Sequence, residues 1–220
     1  MSYNQQPKII TEGLVLSVDA GDIKSYLGSG TTWTDRIGAV AGTIDGASFS
    51  RSNGGVFDFD GTNDYVSFGN PSSVSFNYQS TFSLEAWVKG DSFSGFTHII
   101  GRTYADYRLA VTSSGYSFRL DANNLTTSSG TPAVGEWQHV VATWDGASVA
   151  RVYINGILEQ TVTDDTVDFS AQSSNWQIGN SPGESYYFNG QIPVGRAYNI
   201  TLSIDQIKQN YNALKGRFAI

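Results

Sequence analysis

Residues 137–156, WQHVVATWDGASVARVYING, constrain this chain more than any other stretch. His139, Val141 and Thr143 alternate with Val140, Ala142 and Trp144, which is the period-2 pattern of a strand with two different faces. Asp145-Gly146 then interrupts it, a second alternating run covers Val149 to Ile154, and Asn155-Gly156 ends that run. Asp-Gly and Asn-Gly supply the positive φ angles of tight turns, so the stretch predicts consecutive antiparallel strands. The rest of the chain reads the same way.

Leu14 to Ala20 is a predicted strand that leads to a Gly/Ser/Thr loop at Gly28 to Thr32. The runs 55–60 and 65–68 are predicted to form a hairpin about Gly61-Thr62-Asn63-Asp64. Phe82 to Lys89 places Phe82, Leu84, Ala86 and Val88 on one face, predicted to lie between two sheets. Segments 97–101, 107–113 and 116–121 continue the meander, and 158–163, 175–179 and 186–199 follow. The one helical pattern is Ser203 to Lys215. Ser203 and Gln206 make a capping box, Ile204, Ile207, Tyr211 and Leu214 share a face, and Gly216 sits at the C′ position. The helix is expected to close an open end of a sandwich, with Arg217 to Ile220 as a free tail.

The fold class is therefore all-β, a two-sheet antiparallel β-sandwich with one short C-terminal helix. Twelve Tyr, twelve Phe and five Trp provide large apolar faces for its core. The strand signals never lapse into a linker, so a single domain is expected over 13–218, flanked by a polar arm at 1–12 and a tail at 219–220. A net charge of −7 without a basic run repels phosphate backbones and argues against a nucleic-acid partner. With no Cys there is neither a disulfide nor a thiolate metal site. MSYNQQPKII lacks the basic and apolar regions of a secretory signal, and no apolar run reaches membrane-spanning length. Synthesis in a cytoplasm and no membrane partner are expected.

In chain order, FDGTNDYVSF (59–68), FSLEAWVK, WQHVVATWDG, VYINGILEQ, FNGQI (188–192) and YNITLSIDQIKQNYNALKGRF (198–218) resemble the laminin-G-like or concanavalin A-like jelly-roll superfamily, which includes the pentraxins. The opening GLVLSVDAGDIKSYLGSGTTWTDRIG is similar to stand-alone members in tailed-bacteriophage structural proteins. The resemblance implies that the sandwich is of jelly-roll type, with two sheets of roughly six or seven strands each. The chain departs from the family at Pro193-Val194-Gly195, where an acidic pair is common.

Catalysis finds little support. Glucanases of this fold use carboxylates spaced along one strand, whereas Glu12, Glu85, Glu136, Glu159 and Glu184 are isolated from one another. Asp58 and Asp60 share a face without a partnering Glu. His98 and His139 have no serine elbow and no metal-ligand spacing, so both are expected to be structural. The pentraxin resemblance implies candidate calcium ligands at Asp106, Asn180 and Glu184. The acidic cluster of that family is mostly gone here, and an exposed polar loop is the favoured alternative. Tyr104 and Tyr107 in one loop, with Tyr186 and Tyr187 in another, are candidate glycan-stacking residues; inward packing of the second group is the competing reading.

The expected function, carried by the narrower resemblance, is a non-enzymatic virion protein of a tailed bacteriophage: a capsid decoration or a fibre- or tail-associated sandwich. It would attach by protein contacts, the major capsid protein among them, with host-surface glycans as a further contact. The resemblance admits a homotrimer, and the virion is the expected location. The alternative is a lectin-like carbohydrate-binding module, assisted by calcium or not. No other cofactor is expected.

Overall fold

The structure, a computed structural model, describes residues 7–93, 95–103, 105–121, 126–170 and 173–220. In chain order its strands are β1 (Leu14–Asp19), β2 (Thr32–Thr34), β3 (Ala41–Asp45), β4 (Ser48–Ser50), β5 (Val56–Asp60), β6 (Tyr65–Ser67), β7 (Phe82–Gly90) and β8 (Thr97–Gly101). They continue as β9 (Tyr107–Thr112), β10 (Gly115–Leu120), β11 (Thr126–Ser129), β12 (Gln138–Trp144), β13 (Val149–Ile154), β14 (Ile157–Thr163), β15 (Gln177–Ile178) and β16 (Asn189–Tyr198). A single α-helix among the described residues, α1 (Ile204–Leu214), follows.

Two antiparallel sheets of eight strands each form the sandwich. The first runs β14-β13-β12-β7-β16-β5-β4, with β1 paired to the C-terminal half of β16; the second runs β11-β10-β9-β8-β15-β6-β3-β2. The central hairpin has the expected order, Val140 opposite Ile154 through to Trp144 opposite Ala150. Its connection is longer than a two-residue turn, because the Asp145 carboxylate accepts the amides of Ala147, Ser148 and Val149 at 2.8–2.9 Å and shapes a four-residue loop. Asn155 (φ 51°) and Gly156 (φ 78°) then make the tight turn into β14.

Phe82, Leu84, Ala86 and Val88 all face the core between the sheets. There the Phe82 ring stacks on Phe76 at 4.7 Å and meets Tyr107 at 4.9 Å and Phe118 at 5.9 Å. Each such fully buried ring contributes about 2–3 kcal/mol of transfer free energy. Strands β2, β3, β4 and β11 lie outside the predicted set. They are short and rich in Ser, Thr and Gly, but β3 does alternate, with Gly42 and Ile44 buried and 41, 43 and 45 exposed.

The C-terminal segment differs from expectation in a way that matters. Helix α1 has its capping box, with Gln206 N donating to Ser203 Oγ and Ser203 N donating to the Gln206 side chain. It covers the outer face of the first sheet instead of an open end. Ile207 packs with Val141, Tyr153 and Tyr198, while Tyr211 stacks on Trp87 with centroids 5.8 Å apart. Arg217 and Phe218 are not a free tail. Arg217 bonds to Asp19 at 2.7 Å and to the carbonyls of Asn53 and Gly55 at 2.6 Å, and the Phe218 ring lies 4.4 Å from Trp87 and 4.6 Å from Trp137. In the N-terminal arm, Ile10 N donates to Asn210 at 2.7 Å and Gln209 donates to Lys8 O at 2.7 Å. Residues 8–10 and the C-terminal helix thus meet on one sheet face. No helix among the described residues is long and apolar enough to cross a membrane.

Candidate functional site

Three connections gather at one rim of the sandwich: the turn at Gly61, the loop from β7 to β8, and the loop 179–188 before β16. They enclose a cleft of about 160 Å³ lined by Phe96, Thr97, Tyr187, Asn189, Ser92 and Ser185. Gly190 (φ 137°) lets β16 approach so closely that a Cβ would collide with the Lys89 carbonyl. That approach puts Asn189 at the cleft, where its Nδ2 donates to Ser92 Oγ at 2.9 Å. The lining side chains are uncharged: hydroxyls, one amide and two aromatic rings.

The wall beside the cleft is rigid. Asn180 ties its own loop together, accepting Tyr186 N at 3.0 Å and donating to Glu184 O at 3.0 Å. Arg108, on the outer face of the second sheet, reaches Glu184 at 2.5 Å and Ser181 Oγ at 3.1 Å. Its guanidinium lies 4.3 Å from the Phe96 ring centre and 5.2 Å from that of Tyr186, and a cation against aromatic faces is favourable when partly desolvated. His98 is fully buried behind this group, its Nε2 lying 3.3 Å from Gln177 O. Burial, and next the positive Arg108, pushes its pKa down to about 3, so the imidazole is neutral.

The residues named from the sequence separate here. Tyr186 and Tyr187 are both half-buried at this rim, and Tyr187 lines the cleft. Tyr104 lies outside the described residues. Tyr107 is corrected: it points into the core at 0% exposure, with its hydroxyl donating to Val74 O, so its ring cannot stack on a sugar. The calcium set does not converge. The Asp106 carboxylate is buried and accepts from Ser174 Oγ at 2.7 Å and Thr103 Oγ1 at 3.4 Å, Glu184 is occupied by Arg108, and the Asn180 side chain is engaged by its own loop. No group of three or more His, Cys, Asp or Glu suited to a metal occurs among the described residues. Ser92, Phe96 and Asn189 were not among the sequence candidates, although Phe96 just before a strand and the Asn189-Gly190 pair were visible signals.

The most buried acid serves another purpose. Glu85, on the outer face of the first sheet, is bonded by Arg196 at 2.6 Å, His139 at 3.1 Å, Tyr198 at 3.1 Å and Asn210 at 2.7 Å. Burial alone would raise its pKa, but Arg196, with His139 and Tyr198, holds it down at about 2. A carboxylate so firmly ionised cannot act as a general acid near neutrality.

Comparison with known proteins agrees with this architecture. The family model for the concanavalin A-like lectin/glucanases superfamily matches residues 60–208. No curated protein matches the chain. Among solved structures, a sialidase from Trypanosoma rangeli in complex with the inhibitor DANA superposes with a TM-score of 0.70 at 16% identity, over 94% of this chain and 35% of that one. The binding domain of Paraclostridial Mosquitocidal Protein 1 gives 0.75 at 11% identity, over 91% and 52%. Domain 4 of AbnA, a GH43 extracellular arabinanase from Geobacillus stearothermophilus, in complex with arabinotriose, gives 0.64 at 16% identity, over 90% and 98%. The chain thus spans about a third to a half of the first two proteins and nearly all of the third. At these identities the likeness is one of fold.

Proposed function

The chain belongs to the concanavalin A-like lectin/glucanases superfamily, and from that premise we propose that it is a non-enzymatic recognition module that contacts glycans through the cleft at Tyr187, Phe96 and Asn189. The observation that carries this reading is the chemistry of the lining. The cleft surface is almost wholly polar, an amide and several hydroxyls that offer hydrogen bonds to a sugar's oxygens, with the half-buried Phe96 and Tyr187 rings at its edge. No lining residue is a carboxylate, so the cleft has no acid pair for glycoside cleavage. The arabinotriose complex of a domain with this fold adds support.

In this reading residues 13–218 form the module, flanked by 1–12 and 219–220. Its setting is the virion of a tailed phage, where attachment is by protein contacts and the glycan is on the host surface. That setting rests on the opening segment, GLVLSVDAGDIKSYLGSGTTWTDRIG, and its similarity to stand-alone members in tailed-bacteriophage structural proteins. A glycan array with the full chain tests the binding. Micromolar recognition that Tyr187→Ala weakens at least tenfold, unaffected by chelator, is the expected result. Absence of binding, or release of reducing ends from any oligosaccharide, would overturn it. Recovery of the chain in purified particles tests the setting.

A further inference from the structure

At the β4 end of the first sheet, the loop 21–30 holds two large apolar side chains away from the protein. Ile23 is 69% exposed and Leu27 78%. Single exposed apolar residues are ordinary, but this pair rides on a braced turn. Buried Ser25 donates to Thr34 O at 2.7 Å and accepts Asp19 N at 3.2 Å. The Tyr26 ring, also buried, packs 4.8 Å from both Phe49 and Phe57, and its hydroxyl donates to Gly30 O at 3.0 Å. Ile23 and Leu27 form a ridge between two open hollows, one of about 670 Å³ toward Thr31–Thr34 and one of about 280 Å³ toward Phe49 and Arg51. A ridge held in place before contact loses little entropy on docking.

The charge here is unlike that of the whole chain. Asp22 is paired with Arg36 at 2.9 Å and Asp19 with Arg217 at 2.7 Å. Exposed Lys24 and Arg51 remain, so this end is positive in a protein of net charge −7. The opposite end of the same sheet has the complementary character. Strand β14 pairs with β13 alone and exposes Ile157 at 62% and Leu158 at 46%. Glu159 stands beside them, and Asp164 and Asp165 follow the strand. The nearby cations are Lys208, which lies against Gly156, and Arg151, whose charge acts on Asp145 of its own hairpin. A register jump between Leu158 and Gln160 interrupts the ladder, so contact here is through side chains and not by strand addition.

Six strand spacings of about 4.8 Å separate β14 from β4, roughly 29 Å, so one molecule cannot bring its two ends together. A second copy can. We propose that the chain associates head to tail with further copies of itself, the Ile23/Leu27 ridge of one protomer packing on the Ile157/Leu158 end of the next. Contacts of this heterologous kind close into a ring or run on as a filament. The inference is independent of glycan binding.

The test is mass in solution by light scattering or sedimentation, from micromolar to hundreds of micromolar full-length chain. The wild type should grow in mass with concentration, less so in high salt. Leu27→Asp and Leu158→Asp should each weaken self-association at least tenfold with unchanged melting temperature. An equal mixture of the two keeps one intact ridge and one intact β14 end, and should form a two-chain species and nothing larger. If either variant shifts melting, Leu27→Ser or Leu158→Thr replaces it. A wild type that stays monomeric, a variant that associates like wild type, or a mixture that stays monomeric would each refute head-to-tail packing.

Discussion

The two outer faces of the sandwich carry the same kind of group and use it differently. On the first sheet Glu85 and Arg196 pair at 2.6 Å with 0% and 3% of their side chains exposed, sealed under α1 and the C-terminal residues. On the second sheet Arg108 and Glu184 pair at 2.5 Å, but Glu184 is 19% exposed and the pair braces the loop beside an open cleft. Both are flanked by aromatic rings. One pair holds the C-terminal helix to a sheet; the other stiffens a loop from which Tyr187 projects. An Arg–carboxylate contact by itself therefore does not mark a site, and what covers it does.

The comparison breaks most sharply if the sealed pair is cut. Glu85→Ala leaves Arg196 charged and unpaired beneath the helix, with an expected loss of about 3–5 kcal/mol in denaturant unfolding. Glu184→Gln keeps an oxygen that can accept from Arg108, which also retains its aromatic contacts and Ser181, and should cost only about 1–2 kcal/mol. Equal losses would mean that the two faces are not distinct in the way described. Close behind comes Phe218→Ala, which removes a ring packed on Trp87 and Trp137. A loss of about 3 kcal/mol is expected, and a variant as stable as wild type would show that the C-terminal segment does not seal the face.

Acid sharpens the contrast further. His98 is neutral in the fold down to about pH 3, whereas an ordinary imidazole takes a proton near 6.5. Between those values the unfolded chain binds more protons, so stability falls as pH drops below about 6.5. Glu85 has the depressed pKa of a stabilised carboxylate. Its contribution, of order 3 kcal/mol, is complete above about pH 4.5 and is lost as pH falls toward 2. His98→Asn should flatten the first part of a stability–pH curve and Glu85→Gln the second. A curve that both variants leave unchanged would contradict these assignments. The smallest effect on stability is expected at the cleft, where Tyr187→Ala should move unfolding by less than about 0.5 kcal/mol while abolishing sugar recognition.

Much of this was legible in the order of residues. Alternation in FSLEAWVK separates the core set from Glu85 and Trp87, and the capping box of α1 appears as read. Strands β2, β3, β4 and β11 lie outside the sequence pattern because runs of three to five residues, each with at most two large apolar side chains, carry little periodic signal. For the site, Tyr186 and Tyr187 were legible as aromatics near a loop, but Tyr107 was misread. A tyrosine at the start of a strand can lie on either face, and only the register of β9 against β8 and β10 turns it inward.

Local patterns determined the strands, their turns, the helix and the absence of a carboxylate run, because each depends on neighbours a few residues apart. Tertiary structure decided which outer face is sealed, which arginine meets which carboxylate, and that Phe96, Tyr187 and Asn189 line one cleft. The ion-pair partners lie 76 positions apart in the chain for Arg108 and Glu184 and 111 for Glu85 and Arg196, and Phe96 is similarly remote from Tyr187. Pairings across such separations follow from sheet order and from which surface the last residues cover, and no short-range periodicity encodes either.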